Sequence, residues 1–422
     1  MKVTTSSGRI NKAIEIAAND IRINIKDFRS GLLKEKRPVL LAGADYDRPW
    51  TRDASINTYN YLALYDREIA RNTLLAVLEI TQEGLFIGGQ YWDCVIWALG
   101  AERYLDIHKD EELAAIAIEA LSNTLLRMEK EEYSEDYGLF RGAAVYGDGV
   151  SAYPDEYSLP GNSGCILGWP GENPERAHGT GYGIPMHVLS TNCAYFNAYM
   201  MLFRKTGTGI YKKKAESLKK SIITNFMNEG KPGYLVGKYG SCNEQEGLGI
   251  AFGLMFGILP KSILDEAVTT DHGIACVSST FDRYKKGNDI GRHSGTIWSF
   301  INSFYAIETL KAGRKDIFRY EFNLLTDKVL RDGQFYEIYH PVTGLPYGGI
   351  QEPIKEGEYS RLKSCEHQAW SATGYMSMII NGISGFVPGK DKPVFSIDKT
   401  GDLDYINIEN LIYRGSRLDI SL

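Results

Sequence analysis

The sequence predicts an all-α fold, an (α/α)6 toroid of six helical hairpins with long loops at one end and a short C-terminal appendage. Three observations lead there. Apolar residues recur at helical spacing in about twelve segments. Short and long connections alternate between those segments. The two longest connections, 131–187 and 331–364, are rich in Gly, Pro and Tyr, too aromatic for disordered linkers and long enough to be functional.

The helical segments, in order, are 9–35, 53–65, 66–82, 91–107, 111–130, 188–206, 211–228, 244–257, 260–270, 294–312, 315–330 and 365–381. The clearest is 111–130, where Ala114, Ile118, Leu121, Leu125 and Met128 step by four and three. Tyr211, Ala215, Leu218, Ile222 and Phe226 repeat the pattern, as do Trp298, Ile301 and Tyr305. Short links fall near 64–67, 107–111, 206–211, 257–261 and 311–315; long ones at 36–52, 82–91, 131–187, 229–243, 271–293 and 331–364. Hairpins joined by longer crossovers give that rhythm, and a ring of them closes with its long loops gathered at one end, where a pocket would form. The expected division is a barrel over 1–382 and an extension over 383–422 packed on or beside it, with strand-like runs Val394 to Ile397 and Tyr405 to Ile408.

Composition narrows the function. Of 422 residues, 43% are hydrophobic and 24% charged, which suits a soluble globular chain. The net charge of −6 excludes the basic footprint of a nucleic-acid binder. Lys212, Lys213, Lys214, Lys219 and Lys220 read as a solvated helix face. The six cysteines include no CxxC pair, so no disulfide framework is expected. No stretch is apolar enough to span a bilayer and the first residues lack a signal-peptide core, so the expected location is the cytoplasm, with no membrane partner. The seven histidines show no HExxH spacing, and neither GxGxxG after a strand nor GxxxxGK[ST] occurs. No metal, nucleotide or other cofactor is expected. Twenty-seven Tyr, 16 Phe and 6 Trp in a Gly-rich acidic chain suit a site that stacks on uncharged rings, and sugars are the obvious ligand.

Five strings carry candidate chemistry. The first is Tyr46-Asp47-Arg48-Pro49-Trp50-Thr51-Arg52-Asp53, before a helix. Trp50 offers a flat face to a sugar ring, while Arg52 and Asp53 suit neighbouring hydroxyls. A plain helix N-terminus would also explain the acid there. The second, Gln90-Tyr91-Trp92-Asp93, occupies the equivalent place one hairpin later. The third runs from Phe140 to Tyr157 in the longest loop and contains Tyr146, Asp148, Asp155 and Glu156. A carboxyl group walled by apolar side chains resists ionisation, which suits a general acid. Asp148 is the first choice, with Asp155 and Glu156 as alternatives, and a simple Gly-Asp-Gly turn is the competing explanation. The fourth runs from Asp332 to Gly344 through Glu337 and on to Gln351. Glu337 sits in a strand-like run that would fix its direction. The fifth, Ser364 to Gly374, includes His367, Gln368 and Trp370 and opens the last helix. Two carboxyl groups flanking a glycosidic bond are the minimal apparatus for its hydrolysis.

These strings resemble the six-hairpin glycosidases, in particular the inverting α-glycosidases of glucoamylase, glucodextranase and processing-glucosidase type. Pro49-Trp50-Thr51-Arg52-Asp53-Ala54 is similar to their Trp-Pro-Arg-Asp-Ala motif, whose Arg and Asp hold the non-reducing sugar. Gly333 to Tyr339, through Thr343-Gly344, resembles the segment carrying their catalytic base, so the resemblance gives Glu337 that role. His293-Ser294-Gly295-Thr296-Ile297-Trp298 is similar to their Gly-x-x-Trp-Pro helix start, with Ser299 in place of Pro. Gln368-Ala369-Trp370-Ser371 resembles their Gln-x-Trp-Ser element. The acid departs from glucoamylases, and Gly147-Asp148-Gly149 with Tyr153-Pro154 is closer to processing glucosidases.

The resemblance implies inverting, exo-acting hydrolysis of a terminal sugar, an α-linked glucoside or related hexoside, from a small oligosaccharide or glycoside. Asp148 would be the acid and Glu337 the base. Two other readings stay open: a sugar epimerase or isomerase on the same toroid, with His293 and His367 as its facing pair, and a non-catalytic carbohydrate-binding protein.

Overall fold

The computed structural model describes residues 1–89, 93–157, 165–278, 287–355, 358–397 and 403–422, with the backbone alone at 352–355 and 358–359. Six inner helices begin at one face of the barrel: Thr51–Asn57, Trp97–Ile107, Leu189–Thr206, Gly247–Met255, Ser299–Lys311 and Ala369–Ser377. Each packs on the next, and the last returns to the first, so the ring closes. The outer layer is Gly8–Ile23, Arg67–Leu75, Glu111–Glu131, Gly209–Phe226, a 3-10 turn at Lys261–Asp265, and Lys315–Asp332.

Burial follows the layers. Every residue from Ser299 to Leu310 is buried, as an inner helix covered on all sides requires. Gly209–Phe226 buries only Ala215, Leu218, Ile222 and Phe226, one stripe of an otherwise solvated helix. Two inner helices cross closely at Gly100, where an added Cβ would lie 2.6 Å from the Ser55 carbonyl oxygen. The connections from outer to inner helices are the long ones, and all six reach the N-terminal ends of the inner helices. That end of the barrel is the loop face; the other is the floor.

Several expected helices are shorter than their periodicity suggests. The first ends at Ile23, and Ile25–Phe28 pairs antiparallel with Arg37–Leu40. The third ends at Leu75, followed by the hairpin of Leu78–Thr81 with Gly84–Ile87. The ninth, expected at 260–270, is a single 3-10 turn over Lys261–Asp265. The fourth opens with a 3-10 turn, Asp93–Ile96. Loop 131–187 contains 3-10 turns and a one-turn helix, Trp169–Glu172.

Beyond the last helix, Ile406–Tyr413 is the middle strand of a three-stranded sheet, between Lys2–Thr5 and Ser416–Ser421. The expected strand at Val394 is only a bridge to Val387. At the floor, two inner helices loosen into π turns, Thr58–Leu62 and Met378–Ile383. Among the described residues, no helix is long and apolar enough to cross a membrane.

Glu246, just before an inner helix, is fully buried, and its Oε2 accepts from the Ser190 backbone N–H at 2.9 Å. Burial pushes its pKa up to about 8. A carboxylate raised in the fold contributes stability that is complete below its unfolded value and is lost as pH rises through the folded value. The buried imidazoles of His187 and His293 are depressed to about 4 and 3, so they act below pH ~6.5 and leave the window above it clear. The chain is therefore expected to lose stability between pH ~6.5 and ~8, and Glu246→Gln to flatten that slope. Urea midpoints of both proteins across the window check it.

Candidate active site

Glu337 precedes the short strand Ile338–Tyr339, which pairs antiparallel with Ile297–Trp298. That pairing sets Glu337 beside the segment before Ser299–Lys311. The Arg292 Nη2 donates to Glu337 Oε2 at 2.6 Å, and the Tyr46 hydroxyl donates to Oε1 at 2.9 Å. Both carboxylate oxygens are therefore oriented, and Glu337 is 1% exposed. Arg292 is itself fixed: its guanidinium lies 5.1 Å from the Trp298 ring centroid, and its Nη1 donates to the Gly348 carbonyl at 2.9 Å. A stacked, bidentate-capable guanidinium is the expected choice for holding a buried carboxylate.

Asp148 comes to the same cluster from the longest loop. Gln351 Nε2 donates to its Oδ1 at 3.4 Å, and the Cys165 thiol donates to Oδ2 at 3.0 Å. The Ile166 N–H donates to the Asp148 carbonyl at 2.8 Å. The Gly149 N–H, one residue after Asp148, bonds to His293, the residue after Arg292, so the Asp148 turn lies beside the segment that holds Glu337.

His293 supports this loop from behind. The Gly149 N–H donates to its Nδ1 at 3.1 Å, and the ring stacks on Trp298 with centroids 5.1 Å apart. Burial depresses its pKa to about 3, so the ring is neutral and free to accept. A Cβ on Gly149 would lie 2.2 Å from that Nδ1, and one on Gly147 would lie 2.5 Å from the ring. Gly149→Ala must shift the Asp148 turn. If Asp148 participates in turnover, this variant is expected to lose about 10²-fold in kcat, with unchanged far-ultraviolet circular dichroism; steady-state kinetics check it.

On the other flank, Arg52 Nη1 donates to Asp93 Oδ2 at 3.2 Å, and its guanidinium stacks on Trp50 at 5.2 Å. Asp53 is fully buried and its Oδ1 has no hydrogen-bond partner. Burial pushes its pKa up to about 7, against the pull of Arg52 and with the repulsion of Glu337 and Asp93. Tyr46 makes an edge contact with Trp50 at 6.2 Å and so joins this clamp to Glu337. Beneath, Trp298 and Trp370 meet edge to face at 5.9 Å, Trp370 stacks on Phe300 at 4.3 Å, and Tyr146 packs against Trp298 and Phe300.

Of the residues singled out in the sequence, Tyr46, Arg52, Asp53, Asp93, Asp148, Glu337 and Gln351 meet in this cluster, and Trp50 borders it. Tyr146, His293, Trp298 and Trp370 form its buried backing. Gln368 is buried against Gly43 at the start of the last helix. Asp47 and Arg48 pair with each other at 3.2 Å on the exposed rim. Asp155 and Glu156 are exposed, in the 3-10 turn Asp155–Tyr157. His367 is held by Asp20 of the first outer helix at 2.8 Å, whereas His293 is wedged under Gly149, so separate partners hold the two imidazoles. Gln90, Tyr91 and Trp92 lie outside the described residues. Sequence reasoning missed Arg292, Cys165 and Asp20. Asp20 carried a signal, since it continues the buried stripe of Ala13, Ile14 and Ala17, where a carboxylate demands a partner.

No family model matches the chain, and no curated protein matches it in sequence. Solved structures match it in shape. It superposes on a sialidase with a TM-score of 0.67 at 14% identity, covering 99% of this chain and 38% of that one. A GH78 rhamnosidase of a Bacillus species gives 0.66 at 14% identity, covering 100% and 40%. The chain thus spans about two fifths of these two proteins. A GH63 mannosylglycerate hydrolase from Thermus thermophilus gives 0.62 at 12% identity, covering 87% of this chain and all of that one. These likenesses concern the fold, the all-α toroid of helical hairpins expected from the sequence.

Proposed function

We propose that this chain is an exo-acting glycoside hydrolase that removes a terminal sugar, an α-linked glucoside or related hexoside, by inversion. The observation that supports this reading is that Glu337 pairs with Arg292 while the Asp148 turn is bonded to the next residue, His293, two segments far apart in sequence. Arg52, Asp53 and Asp93 supply charged partners for sugar hydroxyls, and Asp53 Oδ1 is a buried acceptor awaiting one. Asp148 gives its proton to the leaving oxygen as the bond to the anomeric carbon breaks. Water bonds that carbon from the opposite face and passes a proton to Glu337. Gln351 and Cys165 fix the plane of one carboxyl group; Tyr46 and Arg292 fix the other.

The fold neighbours act in the same chemical territory, and the GH63 relative bears the name of a mannosylglycerate hydrolase. Glycosides of short hydroxy acids therefore belong beside α-glucosides in the test panel. Incubation with that panel, followed by anomer-resolved NMR, reports substrate and stereochemistry together. Release of the sugar with inverted configuration is the expected result. Epimer formation without release, or binding without product, replaces this reading.

A further inference from the structure

The floor of the barrel, opposite Glu337, holds a second polar site. Arg103, from the inner helix Trp97–Ile107, is 8% exposed. Its guanidinium lies 4.7 Å from the Phe386 ring centroid and 5.4 Å from that of Tyr59, and it donates to Asn381 Oδ1. Among the described residues no carboxylate forms an ion pair with it, and its Nε has no hydrogen-bond partner. The acids nearby are engaged elsewhere: Glu102 with Arg204 at 2.5 Å, and Asp106 with Lys205 at 2.7 Å.

Arg103 lines a cavity of about 450 Å³ together with Lys311, and these two cations are the only charged residues in its described lining. Lys311 keeps one donor on Glu308 at 2.7 Å, and an ammonium has three. Asn381 and Ser396 add neutral polar groups to the wall. Tyr59 belongs to one π turn and Asn381 and Gly382 to the other, so both irregular turns of the inner ring open onto this cavity. Such turns inside helices occur often at functional sites.

An arginine stays charged, and a buried charge without a counter-ion is costly unless something supplies one. We propose that the floor cavity binds a small anion bearing phosphate or carboxylate groups, with Arg103 and Lys311 as its charged ligands. Arg103 supplies a planar fork and Lys311 a point charge, the pairing that suits a multi-oxygen anion. Burial lowers the pKa of Arg103, as expected of a guanidinium lacking a carboxylate partner.

Thermal denaturation of the full chain with increasing inorganic phosphate, or with citrate, against sodium chloride of matched ionic strength, tests this. The expected result is a saturable rise in Tm with at least one of the two anions, which also separates phosphate from carboxylate recognition. Lys311→Ala should weaken the apparent affinity about tenfold, Arg103→Gln should abolish the rise, and Arg52→Gln should leave it intact. No saturable rise with either anion overturns the proposal. So does a rise that survives Arg103→Gln unchanged, or one lost in Arg52→Gln, which would place the anion in the sugar site. If Arg103→Gln does not fold, unchanged affinity in Lys311→Ala and Ser396→Ala overturns it equally.

Discussion

Glu337→Gln is expected to lower kcat by about 10²–10⁴-fold while leaving sugar affinity largely intact. The amide keeps the shape of the carboxylate and can still accept from the Tyr46 hydroxyl, but it cannot take a proton from water. Asp148→Asn should fall by a similar factor on natural glycosides. The two variants part company on a substrate with an acidic leaving group such as a nitrophenol. That leaving group departs without protonation, so Asp148→Asn should recover most of its rate and Glu337→Gln should not. Equal rescue of both, or full activity in either, removes the assigned division of labour.

Arg292→Met carries the largest expected effect on stability, a loss of about 3–5 kcal/mol. The salt bridge of Arg292 with Glu337 is buried at both ends, with side-chain exposures of 11% and 2%. Methionine would still pack on Trp298, yet Glu337 would be left as a buried anion with Tyr46 as its remaining side-chain donor. The double variant Arg292→Met with Glu337→Gln removes the stranded charge. It should therefore regain part of the lost stability, although not activity. Urea denaturation of the wild type, both single variants and the double variant measures this coupling, and strict additivity would argue against it.

The architecture was legible because an inner-outer ring writes itself as a rhythm of short and long connections. The helix ends were not. Residues 24–35 and 76–82 continue a helix-like scatter of apolar side chains, but they lie where each outer helix must turn toward the loop face, and local hairpins win there. The segment 260–270 begins at Pro260 and yields only one 3-10 turn. The site was half legible. Glu337, Arg52 and Asp53 stand in strings whose residue types point to chemistry by themselves. Arg292 does not, because its role exists only once Ile297–Trp298 and Ile338–Tyr339 are paired. The support that His293 gives Gly147 and Gly149 was not legible for the same reason: it depends on how the longest loop folds back.

The small sheet that joins Lys2–Thr5 to Ile406–Tyr413 has a consequence for biogenesis. Its first strand leaves the ribosome roughly four hundred residues before its partner exists, and such distant pairings are slow to form. Until then the opening strand has an unpaired edge and the first and last hairpins have no neighbour across the seam. Nascent chains should therefore recruit chaperones until Ile406–Tyr413 has emerged, and a truncation before residue 406 should leave an aggregation-prone product rather than a smaller working barrel.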